Sequence, residues 1–291
     1  MAIVVDERSR VIVQGVTGTV GRGFAERLGQ THAGFVGGVA PGRGGQTIGG
    51  RSVFDSVAEA VRATGADASL LAIPARFATD AVLEAIDAGI STITIYTDLI
   101  PVHETLAFLA YARRSNVTIV GPNAAGVISP GRGSISELND HLLRPGRIGV
   151  ISKSGSLTYE IAIALQALGH GESTVCCLGG DPVIGLRFAQ VLDAFENDRE
   201  TSGVVLLGEV GGLDEIDAAK VIRRMTKPVV AYIAGHSALE GKSMGHAGAI
   251  VARGRERAGE KSAVLAAAGA QVVGVLEELP EAFERTFGRK L

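Results

Sequence analysis

Short runs of apolar and β-branched residues alternate with helical patterns along the whole 291-residue chain. Such runs include "RVIVQG", "ASLLAIP" and "STITIYT", and helical stretches such as "SVAEAVRATG" and "ATDAVLEAIDAG" separate them. Strands that alternate with helices pair in parallel through right-handed crossovers. The runs are apolar throughout, which is typical of strands covered by helices on both faces. The pattern therefore predicts an α/β fold with mainly parallel sheets.

The chain is long enough to form two domains. "HLLRPGR" (141–147) contains a Pro-Gly break between two series of strands and helices, and it is the candidate linker. The second series consists of "IGVISKSGS", "STVCCLGGDP", "GVVLLGEVGG", "KPVVAYIAG" and "QVVGVLEELPEAF", with helices between them. We therefore predict a doubly wound, nucleotide-binding type of domain over residues 1–140 and a second α/β domain over residues 146–291.

Composition argues against several classes of partner. The net charge is −3 without a basic cluster, aromatic residues make up 4% and tryptophan is absent, so nucleic-acid binding is not expected. No apolar run reaches the length of a membrane span, and "MAIVVDERSR" resembles neither a signal nor a transit peptide. Cys176 and Cys177 are adjacent and cannot form an ordinary structural disulfide. We expect a cytoplasmic protein that binds no membrane.

A glycine loop follows the first strand. "GVTGTVGRG" (15–23) places Gly15, Gly18 and Gly21 between strand and helix, where backbone can approach a pyrophosphate at a helix N-terminus. The spacing is not that of the standard dinucleotide fingerprint, so the signal alone is weak. A tight strand-to-helix turn without a ligand explains it as well.

The next strand indicates which ligand such a loop would bind. "FVGGVAPGRGG" (35–45) lacks the acidic residue that an NAD site needs at this place, and it carries Arg43 in a glycine loop. A cation here suits a ribose phosphate, which favours NADP or coenzyme A over NAD. Alternatively, Arg43 is an ordinary solvated loop charge.

Two features of the second half suggest anion chemistry. Ser154, Gly155 and Ser156 lie at a predicted helix N-terminus, where free amides and the helix dipole stabilise an anion, although simple N-capping by serine is the commoner use. Glu209 ends a wholly apolar strand among glycines, at the edge where parallel sheets bind ligands. A carboxylate there can orient a histidine, or it can complement a helix dipole.

His246 lies among small residues in "GKSMGHAGAI" (241–250). Small neighbours let the imidazole project and move between partners, which suits a covalent phosphate carrier more than a fixed base. An isolated histidine is more often a packed or surface residue. No second His or Cys lies at a metal-ligand spacing, so no metal site is predicted.

Several blocks in one order carry a family resemblance: "GVTGTVG", "GGVAPGRGG", "GPNAAGVISPG", "SKSGSLTYE", "GGDPVIG", "GEVGG", "KPVVAYIAG" and "GKSMGHAGAI". Over nearly its whole length the chain resembles the α subunits of succinate–CoA ligase (succinyl-CoA synthetase). The resemblance implies a Rossmann-like CoA-binding domain followed by a flavodoxin-like ligase domain. It also implies a β subunit with an ATP-grasp fold, which binds ATP or GTP with Mg²⁺, in an αβ or (αβ)2 assembly.

The resemblance further implies roles for single residues. His246 would carry the phosphoryl group, Glu209 would orient it, Ser154, Gly155 and Ser156 would bind its phosphate, and Tyr159 would contact the acid substrate. The positions that match the family's coenzyme A contacts are Thr17, Gly18, Thr19, Val20, Arg43, Tyr96, Thr97 and Asp98.

The chain departs from the family pattern at positions that bear on the substrate. Ala124 and Ala125 stand where the family usually has Cys-Pro, and malate–CoA ligases have alanine at the second place. Residues 131–144 and "YTDLIP" also differ from the usual runs. Succinate–CoA ligase is therefore the first interpretation, with malate or another carboxylate as alternatives. An NADP-dependent oxidoreductase and a non-catalytic acyl-CoA sensor are the competing classes.

Overall fold

A computed structural model describes residues 3–32, 34–239, 241–242, 244–251 and 254–289. Within these residues the chain forms two seven-stranded sheets, each flanked by helices. Successive residues of one strand belong to different apolar clusters: Val204 and Leu206 pack in one, and Val205 and Leu207 pack in another. Both faces of the second sheet are therefore covered, as the apolar strands predict.

The first sheet has the strand order β3-β4-β2-β1-β5-β6-β7. Its strands are β1 (Val11–Gln14), β2 (Phe35–Val39), β3 (Thr47–Ile48), β4 (Arg51–Phe54), β5 (Ala68–Leu71), β6 (Thr92–Ile95) and β7 (Thr118–Val120). The helices are α1 (Thr19–Thr31), α2 (Val57–Thr64), α3 (Ala78–Asp87) and α4 (Val102–Arg114). Strand β3 pairs antiparallel with β4, and the other neighbours pair in parallel.

The second sheet has the order β14-β13-β12-β10-β11-β8-β9. Its strands are β8 (Gly126–Ser129), β9 (Gly133–Ser136), β10 (Pro145–Ser152), β11 (Glu172–Cys177), β12 (Gly203–Glu209), β13 (Val229–Ala234) and β14 (Gln271–Val273). The helices are α5 (Gly155–Ala167), α6 (Phe188–Asn197), α7 (Asp214–Ile222), α8 (Ala258–Ala267) and α9 (Leu279–Phe287). The five strands from β14 to β11 pair in parallel. The predicted α/β fold with mainly parallel sheets is confirmed.

Strand pairing differs from the predicted division of the chain in one segment. β8 and β9 form a hairpin whose first strand pairs antiparallel with β11, so residues 126–136 belong to the second sheet. The sequence pattern instead predicts them to belong to the domain of residues 1–140. The turn at "SPGRG" carries Gly131 in the left-handed region, with φ of 71°. The Pro-Gly pair of the proposed linker opens strand β10 instead.

A glycine in β10 shows how sequence determines the packing. A Cβ atom at Gly149 would lie 2.6 Å from the ring of Phe195, which is fully buried on α6. The missing side chain therefore lets α6 approach the sheet and bury a large aromatic group. Among the described residues, no helix has the length and apolar character needed to cross a membrane.

Candidate active site

Three loops meet at the carboxyl edge of the second sheet. Ser152, at the end of β10, pairs with Cys177 of β11 on one side and with Leu207 of β12 on the other. The chain continues as "LGGD" after β11, as "KSGS" after β10 and as "VGGL" after β12. Because parallel strands end at the same edge, segments far apart in sequence lie side by side here.

The His246 imidazole lies across this edge. Its Nδ1 atom is 2.7 Å from Oε2 of Glu209, the last residue of β12. On the other side the ring packs on Gly180, which follows β11, since a Cβ atom there would lie 2.4 Å from Cγ of His246. Strand β10 lies between β11 and β12, so the ring lies near the end of β10, where α5 begins.

The electrostatic setting of His246 defines its tautomer. A carboxylate only accepts hydrogen bonds, so Nδ1 donates to Glu209 and Nε2 keeps its lone pair in the neutral ring. The hydrogen bond to Glu209 raises the pKa of His246; burial opposes this shift, and Lys153 also opposes it. The side chain of His246 is 31% exposed and that of Glu209 is 10% exposed. The site thus places a half-buried imidazole beside an almost buried carboxylate.

The N-terminus of α5 has the geometry of a capped helix. Ser154 Oγ accepts a hydrogen bond from the Leu157 amide at 3.3 Å, and Ser156 is exposed beside it. Capping, the commoner use of serine, is therefore present. Lys153, directly before this turn, is among the charges that affect the pKa of His246. The turn and the imidazole thus share one edge of the sheet.

The glycine at position 180 gives a sharp test of the ring position. We expect Gly180→Ala to displace the imidazole, because its Cβ atom would lie within 2.6 Å of both Cγ and Nδ1 of His246. The predicted phosphorylation of His246 should fall about 10- to 100-fold, since small misplacements of reacting groups are costly. Gly259→Ala is the control, because a Cβ atom there has no neighbour within 4 Å. Equal rates in both variants would contradict this position of the ring.

The glycine loop of the first domain combines structural and exposed positions. Gly15 has φ of 81°, and a Cβ atom there would lie 2.3 Å from the carbonyl oxygen of Ala72. A Cβ atom on Gly21 would lie 2.3 Å from the carbonyl oxygen of Gly15. These two glycines are thus required by close backbone packing. Gly18 caps α1 without a side-chain hydrogen bond, and residues 18–20 are exposed.

The other predicted coenzyme A positions lie, like the glycine loop, at the carboxyl edge of the first sheet. Arg43 is exposed in the loop after β2, and Tyr96 follows β6, with its ring 5.0 Å from that of Phe24. Thr97 is buried, and its hydroxyl donates to the carbonyl oxygen of Ile73 at 2.7 Å. Asp98 is exposed. Strands β2, β1, β5 and β6 are adjacent, so all predicted contact segments lie along one edge of the first sheet.

Asn123 connects this edge with the His246 site. Its amide donates to the carbonyl oxygen of Thr97 at 3.0 Å, and its own carbonyl oxygen accepts from the Gly180 amide at 3.1 Å. Its side-chain amide also donates to Asp181 Oδ1 at 3.1 Å. One residue therefore bridges a predicted coenzyme A position and the glycine under the imidazole.

Tyr159 is half-buried on α5. Its hydroxyl accepts a hydrogen bond from the Asn139 amide at 2.8 Å, and burial raises its pKa. Glu137 and Ala125 both lie close to Gly155, at the start of α5. A Cβ atom on Gly155 would be 3.3 Å from Oε1 of Glu137 and 3.2 Å from Cβ of Ala125. Burial raises the pKa of Glu137 as well.

Sequence reasoning missed several residues of this site: Gly180, Asp181, Asn123, Glu137, Lys153, Glu215 and Lys261. Gly180 and Asp181 lie in "GGDP" and Asn123 in "GPN", and these blocks carry the family resemblance without a local signal for a role of the three residues. Glu137 falls in the divergent stretch. The buried charges Glu215 and Lys261 have the appearance of ordinary helix charges, and no local signal distinguishes them.

Comparison with known proteins assigns the chain. The CoA binding domain family matches residues 6–99, and the CoA-ligase family matches residues 151–271. The succinate–CoA ligase [ADP-forming] subunit alpha 2 of Archaeoglobus fulgidus is 50% identical over 272 residues, which cover 94% of this chain and 95% of that protein. The chain belongs to the succinate–CoA ligase α-subunit family. The predicted family, with a CoA-binding domain followed by a ligase domain, is confirmed.

The family includes relatives with different named acids. The malate–CoA ligase subunit alpha of Methylorubrum extorquens is 42% identical over 277 residues, which are 94% of each chain. A solved structure of ATP citrate lyase from Methanothrix soehngenii, in complex with citrate and coenzyme A, superposes with a TM-score of 0.89 at 22% identity. It covers 98% of this chain, which spans 50% of the lyase chain, and it shows the shared fold.

Proposed function

We propose that this chain is the α subunit of a nucleoside-triphosphate-dependent acid–CoA ligase that works through a phosphohistidine at His246 and an acyl phosphate. The observation that carries the proposal is the chain of contacts from Thr97 through Asn123 to Gly180 and the His246 ring. It connects the segment that matches coenzyme A contacts with a nucleophilic imidazole paired to Glu209.

The proposed chemistry starts at Nε2 of neutral His246. Nε2 attacks the γ-phosphorus of the triphosphate, the bond to the bridging oxygen breaks, and the nucleoside diphosphate leaves. Throughout this step Nδ1 keeps its proton in the hydrogen bond to Glu209, which stabilises the positive charge that develops on the ring. Glu209 is thus expected to orient the ring and to favour the phosphorylated state.

The phosphoryl group then moves to the acid. A carboxylate oxygen of the substrate attacks phosphorus, the N–P bond breaks, and an acyl phosphate forms while His246 returns to the neutral state. The thiolate of coenzyme A attacks the acyl carbon, phosphate leaves, and the thiol proton passes to solvent. Ser154, Gly155 and Ser156 are proposed to bind the phosphate, because α5 begins at the edge that the ring crosses.

The first domain is proposed to bind coenzyme A rather than NADP. We expect Arg43→Ala to weaken coenzyme A binding about tenfold, since a phosphate contact of this kind contributes a charge-assisted hydrogen bond. Arg62→Ala, which removes an exposed charge from the last turn of α2, is the control. Isothermal titration measures both. An unchanged affinity of Arg43→Ala for coenzyme A would show that Arg43 does not contact this ligand. NADPH fluorescence enhancement without coenzyme A binding would support an oxidoreductase.

Succinate is the first substrate to test, and malate is the second. The predicted substrate residue Tyr159 lies with Glu137 near Gly155 and Ala125. Of the two departures Ala124 and Ala125, the second matches the alanine of malate–CoA ligases, and a malate–CoA ligase α subunit is among the relatives. A screen of succinate, malate, citrate and other carboxylates with the reconstituted pair, scored by CoA thioester formation, tests the function. No thioester with any acid would overturn it.

The partner is proposed to be a β subunit with an ATP-grasp fold, because the relatives are named as α subunits. That subunit would hold ATP or GTP with Mg²⁺, in an αβ or (αβ)2 assembly. We propose a cytoplasmic enzyme. Co-purification followed by light scattering measures the stoichiometry, and a chain that forms thioester without a second subunit would contradict this arrangement.

A further inference from the structure

Lys261 of α8 is a charged side chain with no exposed surface. Its Nζ atom donates to the carbonyl oxygen of Glu209 at 2.7 Å and to that of Gly211 at 2.6 Å, and it also donates to the carboxylate of Glu215. An ammonium group leaves water only when such partners replace its hydration. All three partners lie on the segment that carries the carboxylate bound to His246, or directly beyond it.

The end of β10 explains why this segment needs side-chain partners. Alternate residues of a strand direct their N–H and C=O groups to the same neighbouring strand. The carbonyl oxygen of Leu207 accepts from the Lys153 amide, directly after β10, so the backbone groups of Glu209 also point towards the β10 side. Strand β10 ends at Ser152, and in the described part of the chain its pairing with β12 stops at Leu207. The Glu209 amide donates instead to Glu215 Oε1 at 3.1 Å, and its carbonyl oxygen accepts from Lys261. Side chains thus complete the ladder of hydrogen bonds here.

The second carbonyl group bound by Lys261 belongs to a turn that touches the His246 segment. Gly211 has φ of 83°, and a Cβ atom there would lie 2.1 Å from the carbonyl oxygen of Gly248 and 2.8 Å from the amide of Ile250. The Ala249 amide in turn donates to the carbonyl oxygen of His246 at 3.1 Å. Lys261 therefore contacts the backbone of Glu209 and the turn against which the histidine loop packs.

Buried charges around Glu209 form one connected group. Glu215 has no exposed side-chain surface and also pairs with Lys153, with 3.7 Å between Nζ and Oε1. Lys153 and Lys261 are cations, and Glu209 and Glu215 are anions, so the group contains equal numbers of both signs. Removal of one charged side chain leaves a buried charge of the opposite sign without compensation.

We propose that Lys261 is a positioning residue, which holds the Glu209 backbone and the Gly211 turn in the arrangement that the hydrogen bond between Glu209 and His246 requires. Lys261 touches neither the imidazole nor the substrates, and it acts through Glu209. The expected effect on the phosphorylation rate rests on the proposed function. The expected effect on the pKa of His246 does not, and it tests the role of Lys261 independently.

The test compares Lys261→Met with the double variant Lys261→Met/Glu215→Gln in the full chain with its partner subunit. The double variant removes one charge of each sign, so the charge balance of the group is kept, and the introduced glutamine keeps an oxygen beside the Glu209 amide. NMR titration gives the pKa of His246, and labelled ATP gives the rate of its phosphorylation. Glu172→Gln is the matched control, since Glu172 is buried at the opposite end of the sheet, where β11 begins.

We expect both Lys261 variants to lower the pKa of His246 towards its ordinary value and to slow phosphorylation about 10- to 100-fold, as is common for groups that orient a reactive side chain. The KM for coenzyme A should stay unchanged. The proposal is overturned if the melting temperature falls as in the control while the His246 pKa and the phosphorylation rate remain those of the wild type. Absence of phosphorylation in the wild type would contradict the proposed function instead, and the titration would still decide the role of Lys261.

Discussion

Replacement of His246 by asparagine is expected to lower thioester formation by the reconstituted pair at least about 10⁴-fold, because loss of a covalent nucleophile removes the intermediate itself. Asparagine can still occupy the space beside Glu209, so the loops around it should keep their arrangement. Coenzyme A binding should persist, since the matching positions lie on the first sheet. Steady-state assays and titration calorimetry measure the two quantities separately.

The control for this variant is His236→Asn. His236 is an exposed histidine that precedes His246 in the same connection after β13, and we expect its replacement to leave the rate unchanged. A His246→Asn protein that retains more than about one tenth of the activity would show that the imidazole carries no obligatory intermediate.

Replacement of Glu209 by glutamine is expected to produce the second largest effect. Glutamine keeps the shape of the side chain but removes the negative charge that raises the pKa of His246 through the hydrogen bond to Nδ1. Phosphorylation should slow about 100-fold, because charge stabilisation and ring orientation are both weakened. Rapid-quench measurements with labelled ATP give this rate.

The same substitution has a directional effect on pH dependence. Only neutral His246 is nucleophilic, so the phosphorylation rate rises with pH through the pKa of the ring. Glu209 raises that pKa, and its loss should therefore move the half-maximal rate to lower pH while the plateau falls. Glu260→Gln, an exposed change on α8, should alter neither. A plateau loss without a shift towards lower pH would contradict the pairing of the two residues in solution.

Local sequence patterns predict the alternating strands and helices, but they do not predict the hairpin of β8 and β9. The predicted strand in "KPVVAYIAG" is Val229–Ala234, and the helix predicted between it and "QVVGVLEELPEAF" is Ala258–Ala267. The hairpin of β8 and β9 was missed because "GVIS" and "GSIS" are short and rich in small residues. A local pattern also contains no information about which sheet a hairpin joins, and here the antiparallel partner is β11.

The candidate site is predictable residue by residue but not as a whole. Glu209 was found by its place at the end of an apolar strand, and His246 by its small neighbours. Their 2.7 Å contact joins residues 37 apart in sequence, and only the crossovers of the sheet bring them together. Lys261 could not be found, because a lysine in a short helix is normally solvated and its buried partners include two backbone carbonyl groups.

Transfer of labelled phosphate from the γ-position of ATP to the chain, in the presence of its partner subunit, tests the phosphohistidine directly. We predict one acid-labile, base-stable phosphate per chain, located by mass spectrometry on His246 and discharged by the acid substrate together with coenzyme A. Phosphate that is acid-stable, that lies on another residue or that persists in His246→Asn would contradict the proposal that this imidazole carries phosphorus between the two substrates.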